Sequence, residues 1–403
     1  MEVRPGYKQT EMGIIPEDWN ALSLDAVCSM KSGEGITAAR IDTFSSYPCY
    51  GGNGIRGYTS RFTHDGDYAL IGRQGALCGN VVGASGKFFA SEHAVIVTPR
   101  AGTNIRFLTY VLGEMRLNRY SESSAQPGLS VSKVLMLPLA TPPTEAEQRA
   151  IAAALSHADA LLGGLDRLIA KKRDLKQAAM QQLLTGQTRL PCFHGEWEVK
   201  RLGDLFRFSG GYSASRDQLS AEGHCYLHYG DIHGSSKTTV DTKADFQDIP
   251  KLDIALNRVS RDSLLEDGDV VFVDASEDDE GTSKHVVVIN RDRRPFISGL
   301  HTIVAKPKTE ELAHEYRRYC FQTAEIREQF LFYAVGTKVS GISKTNIAKL
   351  TLPVPSVPEQ TAIAAVLSDM DADLSALEAR RDKTRALKQG MMQELLTGRT
   401  RLV

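Results

Sequence analysis

Side chains that can hydrogen-bond to nucleic-acid bases and phosphates recur in glycine-containing segments of this 403-residue chain. Arginine and glutamine can form paired hydrogen bonds with guanine and adenine edges, whereas lysine and serine reach phosphates. The candidates in the first half of the chain are Asn53, Arg56, Arg73, Gln74, Lys87 and His93. Those in the second half are Tyr229, Asp231, His233, Ser235, Lys237, Lys284, His285, Lys338 and Ser340. Many protein surfaces carry such residues, so the residue types alone are a weak indication of DNA contact.

Motifs that would mark a cofactor, metal or catalytic site lack the surroundings that those sites need. Gly52–Gly57 matches the spacing G-x-G-x-x-G, but no strand-then-helix pattern flanks it, so we interpret it as a turn. The acidic run Asp274–Glu280 fits no calcium loop and is interpreted as a solvated loop. Histidines of the second half, such as His301, are more often structural than catalytic when they stand alone. We therefore predict no catalytic residue and no metal ligand.

The composition is that of a globular protein and leaves the choice of partner open. The chain is 42% hydrophobic and 24% charged, which excludes collagen-like and intrinsically disordered classes. Its 48 Lys and Arg nearly balance its 49 Asp and Glu. A DNA-binding role therefore requires basic residues gathered on one face or supplied by a partner. The six cysteines are scattered and include no C-x-x-C pair, which predicts reduced thiols. Since the sequence also shows no leader and no long apolar stretch, we expect a cytoplasmic protein.

The chain contains a long internal repeat. Residues 148–190 and 360–402 align at a constant offset of 212 with 25 identities in 43 positions. Both copies are rich in strong helix formers, and each follows the capping-box spacing, Thr144 before Glu147 and Ser356 before Glu359. Each copy is therefore predicted to be a helix of about 40 residues, roughly 60 Å long. The predicted segments are an N-terminal arm with the first head (1–143), a helix (144–190), a second head (191–355) and a second helix (356–403).

Apolar residues recur in steps of four and three along both helices, as in a coiled-coil seam. In the first helix they are Ile151, Leu155, Ala158, Leu162, Leu165 and Ile169. The pattern lapses at Lys172 and Lys176 and then resumes. A helix with one apolar stripe must bury it, and two like helices can do so by lying antiparallel. That arrangement predicts that the N-terminal arm and the end of the second helix are neighbours.

The segments outside the helices are predicted to be globular and strand-rich. Short β-branched and aromatic runs such as Tyr68–Ile71 and Val286–Ile289 are broken by Gly, Asn and Asp, with some helix near Ile105–Tyr120. The expected fold class is α+β, with two strand-rich recognition domains separated by two long antiparallel helices and related by a pseudo-two-fold. The heads differ in length and sequence while the helices are alike, which favours two different recognition surfaces at a fixed separation.

Taken in order, these features resemble the specificity (S) subunit of type I restriction–modification enzymes, the HsdS family. The resemblance is carried by Tyr7–Trp19, by the Leu-Leu-Thr-Gly-x-x-Arg-Leu endings of both helices, and by four short motifs in the heads. These motifs are Tyr50–Tyr58, Ile71–Gly75, Tyr229–His233 and Asp267–Val271. Together they span nearly the whole chain.

The resemblance implies a non-catalytic DNA-specificity subunit in which each head reads one half of an asymmetric, bipartite DNA site. The helices would set the spacing and dock two modification (methyltransferase) subunits, with restriction/translocase subunits outside them and no membrane involved. This chain would bind no cofactor, because S-adenosylmethionine, ATP and Mg²⁺ would belong to those partners. Lys172 and Lys176 would then face partner helices. The alternatives are a scaffold that pairs other proteins without DNA and a stand-alone DNA modification or cleavage enzyme.

Overall fold

The computed structural model describes residues 4–122, 127–235, 237–276, 283–336 and 340–402. They form two compact units, one within Met1–Arg167 and Glu378–Val403 and the other within Leu168–Leu377. Each unit contains one strand-rich head and part of both long helices, so its boundaries differ from those of the four predicted segments. The predicted α+β class is confirmed. Among the described residues, no helix is long and apolar enough to cross a membrane.

Both predicted long helices are present, and they run Glu145–Leu184 and Val357–Leu395. In the first unit, Ile151 near the start of one helix packs in the same core as Leu395 at the end of the other. In the second unit, Leu183 and Leu367 pack in one core in the same way. In each unit, therefore, the beginning of one helix meets the end of the other, which is the predicted antiparallel arrangement.

The lysines that interrupt the apolar seam bind the other long helix. Lys172 Nζ lies 2.9 Å from Asp373 Oδ2, and Lys176 Nζ lies 2.5 Å from Asp371 Oδ1. In the first unit, Lys388 forms the matching ion pair with an aspartate of the first long helix at 2.6 Å. The prediction that Lys172 and Lys176 face partner helices is therefore wrong, because both ammonium groups are engaged within the chain.

Each long helix is held near its start by an arginine that follows the end of the other helix. In the first unit, Arg401 donates to the two Glu147 oxygens at 2.5 and 2.9 Å and to the two Asp18 oxygens at 2.8 and 2.9 Å. In the second unit, Arg189 donates to the two Glu359 oxygens at 2.5 and 2.7 Å. Both glutamates are buried in these ion pairs. The capping-box spacing is borne out at Thr144, whose Oγ1 accepts from the Glu147 amide at 3.3 Å, while the Glu147 carboxylate is bound by Arg401.

The N-terminal arm lies beside the segment that follows the second long helix, as predicted. Tyr7 Oη donates to the carbonyl oxygen of Gly398 at 3.4 Å. Gly398 has a positive φ of 71°, and a Cβ there would come within 2.5 Å of Pro16. Gly186 stands at the equivalent point of the second unit, with φ of 75°, and a Cβ there would lie 3.5 Å from the Trp197 ring. These two glycines end the helices in the left-handed conformation that glycine adopts most easily.

The first head is built on two sheets that share a layer of apolar side chains. One sheet is antiparallel, in the order Cys28–Ser32, Ala94–Pro99, Tyr68–Gly72 and Val81–Ala84. The other has the order Gly54–Thr59, Tyr47–Gly51, Lys87–Ala90 and His64–Asp65, with a parallel pair in its centre. Leu70 and Ile96 pack with Phe88 in one core, and Ile71 packs with Phe107 in another, so the first sheet is buried on both faces. The remaining elements are strands Tyr7–Thr10, Gly13–Pro16, Asn20–Ser23 and Pro138–Thr141, helices Leu24–Val27, Ile105–Glu114 and Val131–Leu135, and 3₁₀ turns Ala38–Arg40 and Leu117–Tyr120.

The second head repeats this plan with a larger first sheet. Its order is Phe206–Gly210, Thr302–Pro307, Val270–Val273, His285–Ile289 and Thr239–Asp241. A second sheet has the order Leu219–Ser220, Lys251–Leu252, His224–Leu227 and Phe296–Ser298, again with one parallel pair. The remaining strands are Glu198–Arg201, Thr351–Val354, Ala275–Ser276 and Ser340–Gly341. The short helices are Leu202–Leu205, Tyr229–His233, Ala324–Tyr333 and Lys344–Ile347, with 3₁₀ turns at Arg216–Gln218, Leu256–Arg258, Arg261–Ser263 and Tyr316–Arg318.

Candidate nucleic-acid interface

One hairpin turn of the first head, formed by Gly52 and Asn53 between two strands, gathers five predicted residues, namely Asn53, Arg56, Arg73, Gln74 and His93. A Cβ built on Gly52 would lie 3.5 Å from the carbonyl oxygen of His93 and 3.6 Å from that of Gln74. The turn therefore packs directly on the two strand ends that carry Arg73, Gln74 and His93. The structure brings these residues together although they are up to 40 positions apart in the sequence.

Glycine is required on the other side of the same contact. A Cβ on Gly72 would lie 2.1 Å from the carbonyl oxygen of Gly52 and 2.8 Å from that of Leu77, and backbone atoms cannot yield as a flexible side chain does. Arg73 follows Gly72 directly. Its Nη1 donates to Ser32 Oγ at 3.1 Å, so the half-buried guanidinium is oriented by the neighbouring strand.

The side chains around the turn are mainly hydrogen-bond donors. Arg56 and Gln74 are exposed, and the aliphatic part of Arg56 lies across Gly51. Asn53 is exposed and its Oδ1 accepts a hydrogen bond from Asn80 at 2.6 Å. His93 Nε2 lies 3.4 Å from the neighbouring Glu92, which places one acidic group beside the cluster. Together with Arg73, these residues can present several donors to a base edge or phosphate.

Lys87 lies apart from this cluster. The parallel pairing of Phe89 with Cys49 puts Lys87 level with Tyr47, at the end of its strand away from the turn. Its Nζ lies 4.9 Å from the centre of the Phe62 ring. Lys87 is exposed, so a contact with DNA at a separate point of this head stays a prediction.

In the second head, the short helix Tyr229–His233 carries three predicted residues. His228 caps it, with Nδ1 accepting from the Gly230 amide at 3.0 Å. Asp231 is exposed and forms an ion pair with Arg216 at 3.3 Å. The Tyr229 ring packs edge-on against the His301 ring, with centroids 5.4 Å apart. This packing holds Tyr229 in place at the end of the sheet.

A cleft of about 450 Å³ adjoins this helix. Asp231, Ser235 and Lys237 line it, so the structure brings these three predicted residues together. Lys237 donates to Asp245 at 2.7 Å, and this hydrogen bond raises the pKa of Lys237. The cleft is mixed in charge, because Asp231 and Asp245 accompany Lys237.

The remaining predicted residues of this head have different surroundings. Lys284 Nζ donates to the carbonyl oxygen of His233, which ties its strand to the short helix. His285 is only 6% exposed and packs against Phe272 and Phe321, and burial lowers its pKa to about 4. This burial argues against the predicted contact of His285 with DNA. Ser340 begins a short strand that pairs with Ala275–Ser276, and Lys338 lies outside the described residues.

Arg216 is a candidate that the sequence did not single out. It lies in a 3₁₀ turn far from Asp231 in the sequence, and only the fold brings its guanidinium to that carboxylate. Within the described part of the chain, no group of three or more His, Cys, Asp or Glu side chains is placed to hold a metal ion. The acidic run Asp274–Glu280 lies only partly within that part, as far as Ser276.

The two strand-rich heads and the helices that follow them each match one family model. The model of the type I restriction modification DNA specificity domain matches residues 16–170 and again residues 194–384. The chain belongs to this family. The specificity-subunit family was the one predicted from the motifs and the repeat, and that prediction is confirmed.

Individual relatives agree with this assignment. The chain is 46% identical to the EcoprrI specificity subunit of Escherichia coli over 147 residues. This stretch is 36% of each chain, so the match spans about a third of that relative. It is 22% identical to the MjaVIII specificity subunit of Methanocaldococcus jannaschii over 96% of this chain and 94% of that one. The crystal structure of the S subunit from M. genitalium shares the specificity-subunit fold, with a TM-score of 0.65, 16% identity and 98% coverage of both chains. A chain from a structure of an assembling type I system gives a TM-score of 0.54 at 17% identity, over 95% of this chain and 99% of that one.

Proposed function

We propose that this chain is the DNA-specificity subunit of a type I restriction–modification complex and reads an asymmetric, bipartite DNA site with one half-site for each head. The observation that carries the proposal is the repeated match to a DNA specificity domain, once for each head. The heads share their strand plan but differ in the residues at the exposed strand ends. Two unlike half-sites follow from two unlike surfaces.

The first head offers the more complete reading surface. Arg56, Arg73 and Gln74 lie around the Gly52–Asn53 turn, and guanine and adenine edges accept paired hydrogen bonds from arginine and glutamine. Arg73 is held by Ser32, so little side-chain freedom is lost when it binds. In the second head, Asp231, Ser235 and Lys237 line the cleft next to the short helix. These three residues and Tyr229 on the same helix are proposed to contact the other half-site.

The complex is proposed to contain two modification (methyltransferase) subunits docked on the long helices, with restriction/translocase subunits beyond them. Leu168 and Leu175, which are seven residues apart on the first long helix, are 41% and 50% exposed, and Leu387 on the second is 64% exposed. Exposed leucines on helices that already bury an apolar face are suited to helix packing by another protein. The near-neutral charge of the chain also favours a clamp on DNA that is shared with partners.

The chemistry is proposed to reside on those partners. Adenine methylation from S-adenosylmethionine, and translocation and cleavage with ATP and Mg²⁺, would then take place on other subunits. This chain would supply the sequence information and bind no cofactor itself.

Selection of bound duplexes from a random library tests this function. The full chain assembled with its modification subunits should return two unlike half-sites at one spacing. A palindromic or single motif would contradict reading by two different heads, and no enrichment at all would favour a scaffold that pairs proteins without DNA. Exchange of the segment 20–135 for that of another family member should change one half-site and leave the other unchanged.

A further inference from the structure

The heads share one backbone frame at the point where the first head places Arg73. In the first head, Ala94 pairs with Gly72 across neighbouring strands, and in the second head Thr302 pairs with Val273. Arg73 directly follows Gly72, at the end of the strand Tyr68–Gly72. In the second head, Asp274 directly follows Val273, at the end of the strand Val270–Val273.

Backbone hydrogen bonds on both sides confirm that the two positions are equivalent. The amide of Arg73 donates to the carbonyl oxygen of His93 at 3.0 Å, and the amide of Asp274 donates to that of His301 at 3.2 Å. The carbonyl oxygen of Arg73 accepts from Leu129 at 3.0 Å, and that of Asp274 accepts from Ile342 at 2.8 Å. Asp274 therefore corresponds to Arg73, and His301 to His93.

The side chains at these equivalent positions differ in charge. Arg73 carries only donors, whereas an ionised aspartate carries only acceptors. Asp274 Oδ1 is buried 3.3 Å from His301 Nδ1, within ion-pair distance, and forms no well-aligned hydrogen bond. The side chains of Asp274 and His301 are 33% and 50% exposed. Because Oδ1 is buried beside His301, Oδ2 is the oxygen of this carboxylate that can accept a hydrogen bond from a ligand.

Strain and packing fix the histidine in this arrangement. His301 has a φ of 58°, in the left-handed region that non-glycine residues rarely occupy. The Tyr229 ring packs edge-on against it, and the His228 ring lies 4.7 Å from that of Tyr229. Residues held in sparsely populated conformations are concentrated at functional sites.

We propose that Asp274 and His301 are specificity-determining residues of the second head, which rests on the proposed function that the heads read DNA. Asp274 accepts a hydrogen bond from an exocyclic amino group in the major groove. Cytosine N4 suits it better than adenine N6, because the N7 acceptor beside adenine N6 repels a carboxylate. His301 donates to the guanine paired with that cytosine. The two heads therefore read opposite hydrogen-bonding patterns. Arg73 donates to the acceptors of a guanine, whereas Asp274 accepts from the amino group of a cytosine.

The substitution Asp274→Asn tests the proposal, because asparagine keeps the shape, and its amide oxygen accepts from adenine N6 while its amide nitrogen donates to adenine N7. The full chain with its modification subunits is titrated, at fixed salt, with duplexes that carry each base in turn at every position of the selected site. We expect one position of the second half-site to change its preference from cytosine toward adenine. The ratio of the affinity for the cytosine duplex to that for the adenine duplex should fall roughly 5- to 150-fold. The matched controls are Asp253→Asn, an exposed aspartate of the same head, which should change nothing, and Arg73→Ala, which should affect only the first half-site.

His301→Asn provides a second measurement if Asp274→Asn lowers the thermal unfolding temperature, since asparagine tolerates the left-handed conformation. It should reduce discrimination at the same base pair. The proposal is overturned if both variants rank the bases of the second half-site as the unmodified chain does, or if affinity falls equally for all sequences. Failure of the proposed function looks different, because the unmodified chain itself would then prefer no bipartite site.

Discussion

Replacement of Arg401 by alanine should destabilise the first unit more than any other single change to a surface arginine there. The substitution removes four hydrogen bonds and leaves the Glu147 carboxylate, whose side chain is 3% exposed, without its cationic partner. Breaking a buried ion pair by removal of one member costs about 3–5 kcal/mol. The Arg401 side chain is 29% exposed, so water can reach part of the vacated site. We therefore expect a loss of about 3 kcal/mol in the free energy of unfolding.

Urea unfolding followed by tryptophan fluorescence measures this loss in one unit at a time. The chain has two tryptophans, and the Trp19 ring lies 5.9 Å from the Arg401 guanidinium. In a Trp197→Phe background, the fluorescence therefore reports on the first unit alone. Arg399→Ala is the matched control, because that guanidinium is 61% exposed and 3.6 Å from Glu394. An exposed pair of this kind contributes about 0–1 kcal/mol.

A double variant separates the cost of the buried charge from simple loss of contacts. If an unpaired carboxylate dominates, Arg401→Ala combined with Glu147→Gln should be more stable than Arg401→Ala alone. The reasoning is refuted if Arg401→Ala costs no more than Arg399→Ala, or if the added Glu147→Gln lowers stability further.

Three further outcomes are expected from single substitutions. Arg73→Ala should weaken binding of DNA by about 1–3 kcal/mol and relax one base position of the first half-site, measured by fluorescence anisotropy; equal weakening for all sequences would mean a phosphate contact. Gly72→Ala should displace the Gly52 turn at a cost of about 1–3 kcal/mol and impair the first half-site only, whereas Gly113→Ala, with open space around its Cβ position, should not. His285 is neutral in its buried site and its pKa is lowered to about 4, so the unfolded state binds more protons between pH 4 and 6.5. The free energy of unfolding therefore falls as the pH is lowered through that window. The unmodified chain should lose about 2 kcal/mol more than His285→Phe between pH 7 and pH 5, and equal urea midpoint shifts in both would contradict the burial of a neutral imidazole.

The repeat and its helices could be predicted because their signals are local. Apolar residues at steps of three and four, and glycines such as Gly186 and Gly398 after the last turn, are properties of neighbouring residues. The helix expected near Ile105–Tyr120 shows the limit, since it ends at Glu114 and Arg116 takes a φ of 48° before a 3₁₀ turn.

The polar contacts could not be predicted, because their partners are distant in the sequence. In the sequence, Lys176 only interrupts the apolar seam. Its ion-pair partner Asp371 is 195 positions away, and only the folded structure brings the two side chains together. Likewise the spacing of Glu147 suits a capping box, and nothing local indicates the ion pair with Arg401. The equivalence of Arg73 and Asp274 is hidden for another reason: the heads differ in loop lengths, so their offset is 201 residues here rather than the 212 of the helices.

The backbone contacts around Arg73 and Asp274 do not depend on their side chains. Both residues are fixed through their backbone amide and carbonyl groups, which every residue except proline supplies in full. The side chain can therefore be exchanged without loss of strand register. A library randomised at these two positions should yield mostly folded proteins that differ in the DNA sequence they select. New target sequences would then be accessible by single substitutions, with His301 restricted to residues that tolerate a positive φ.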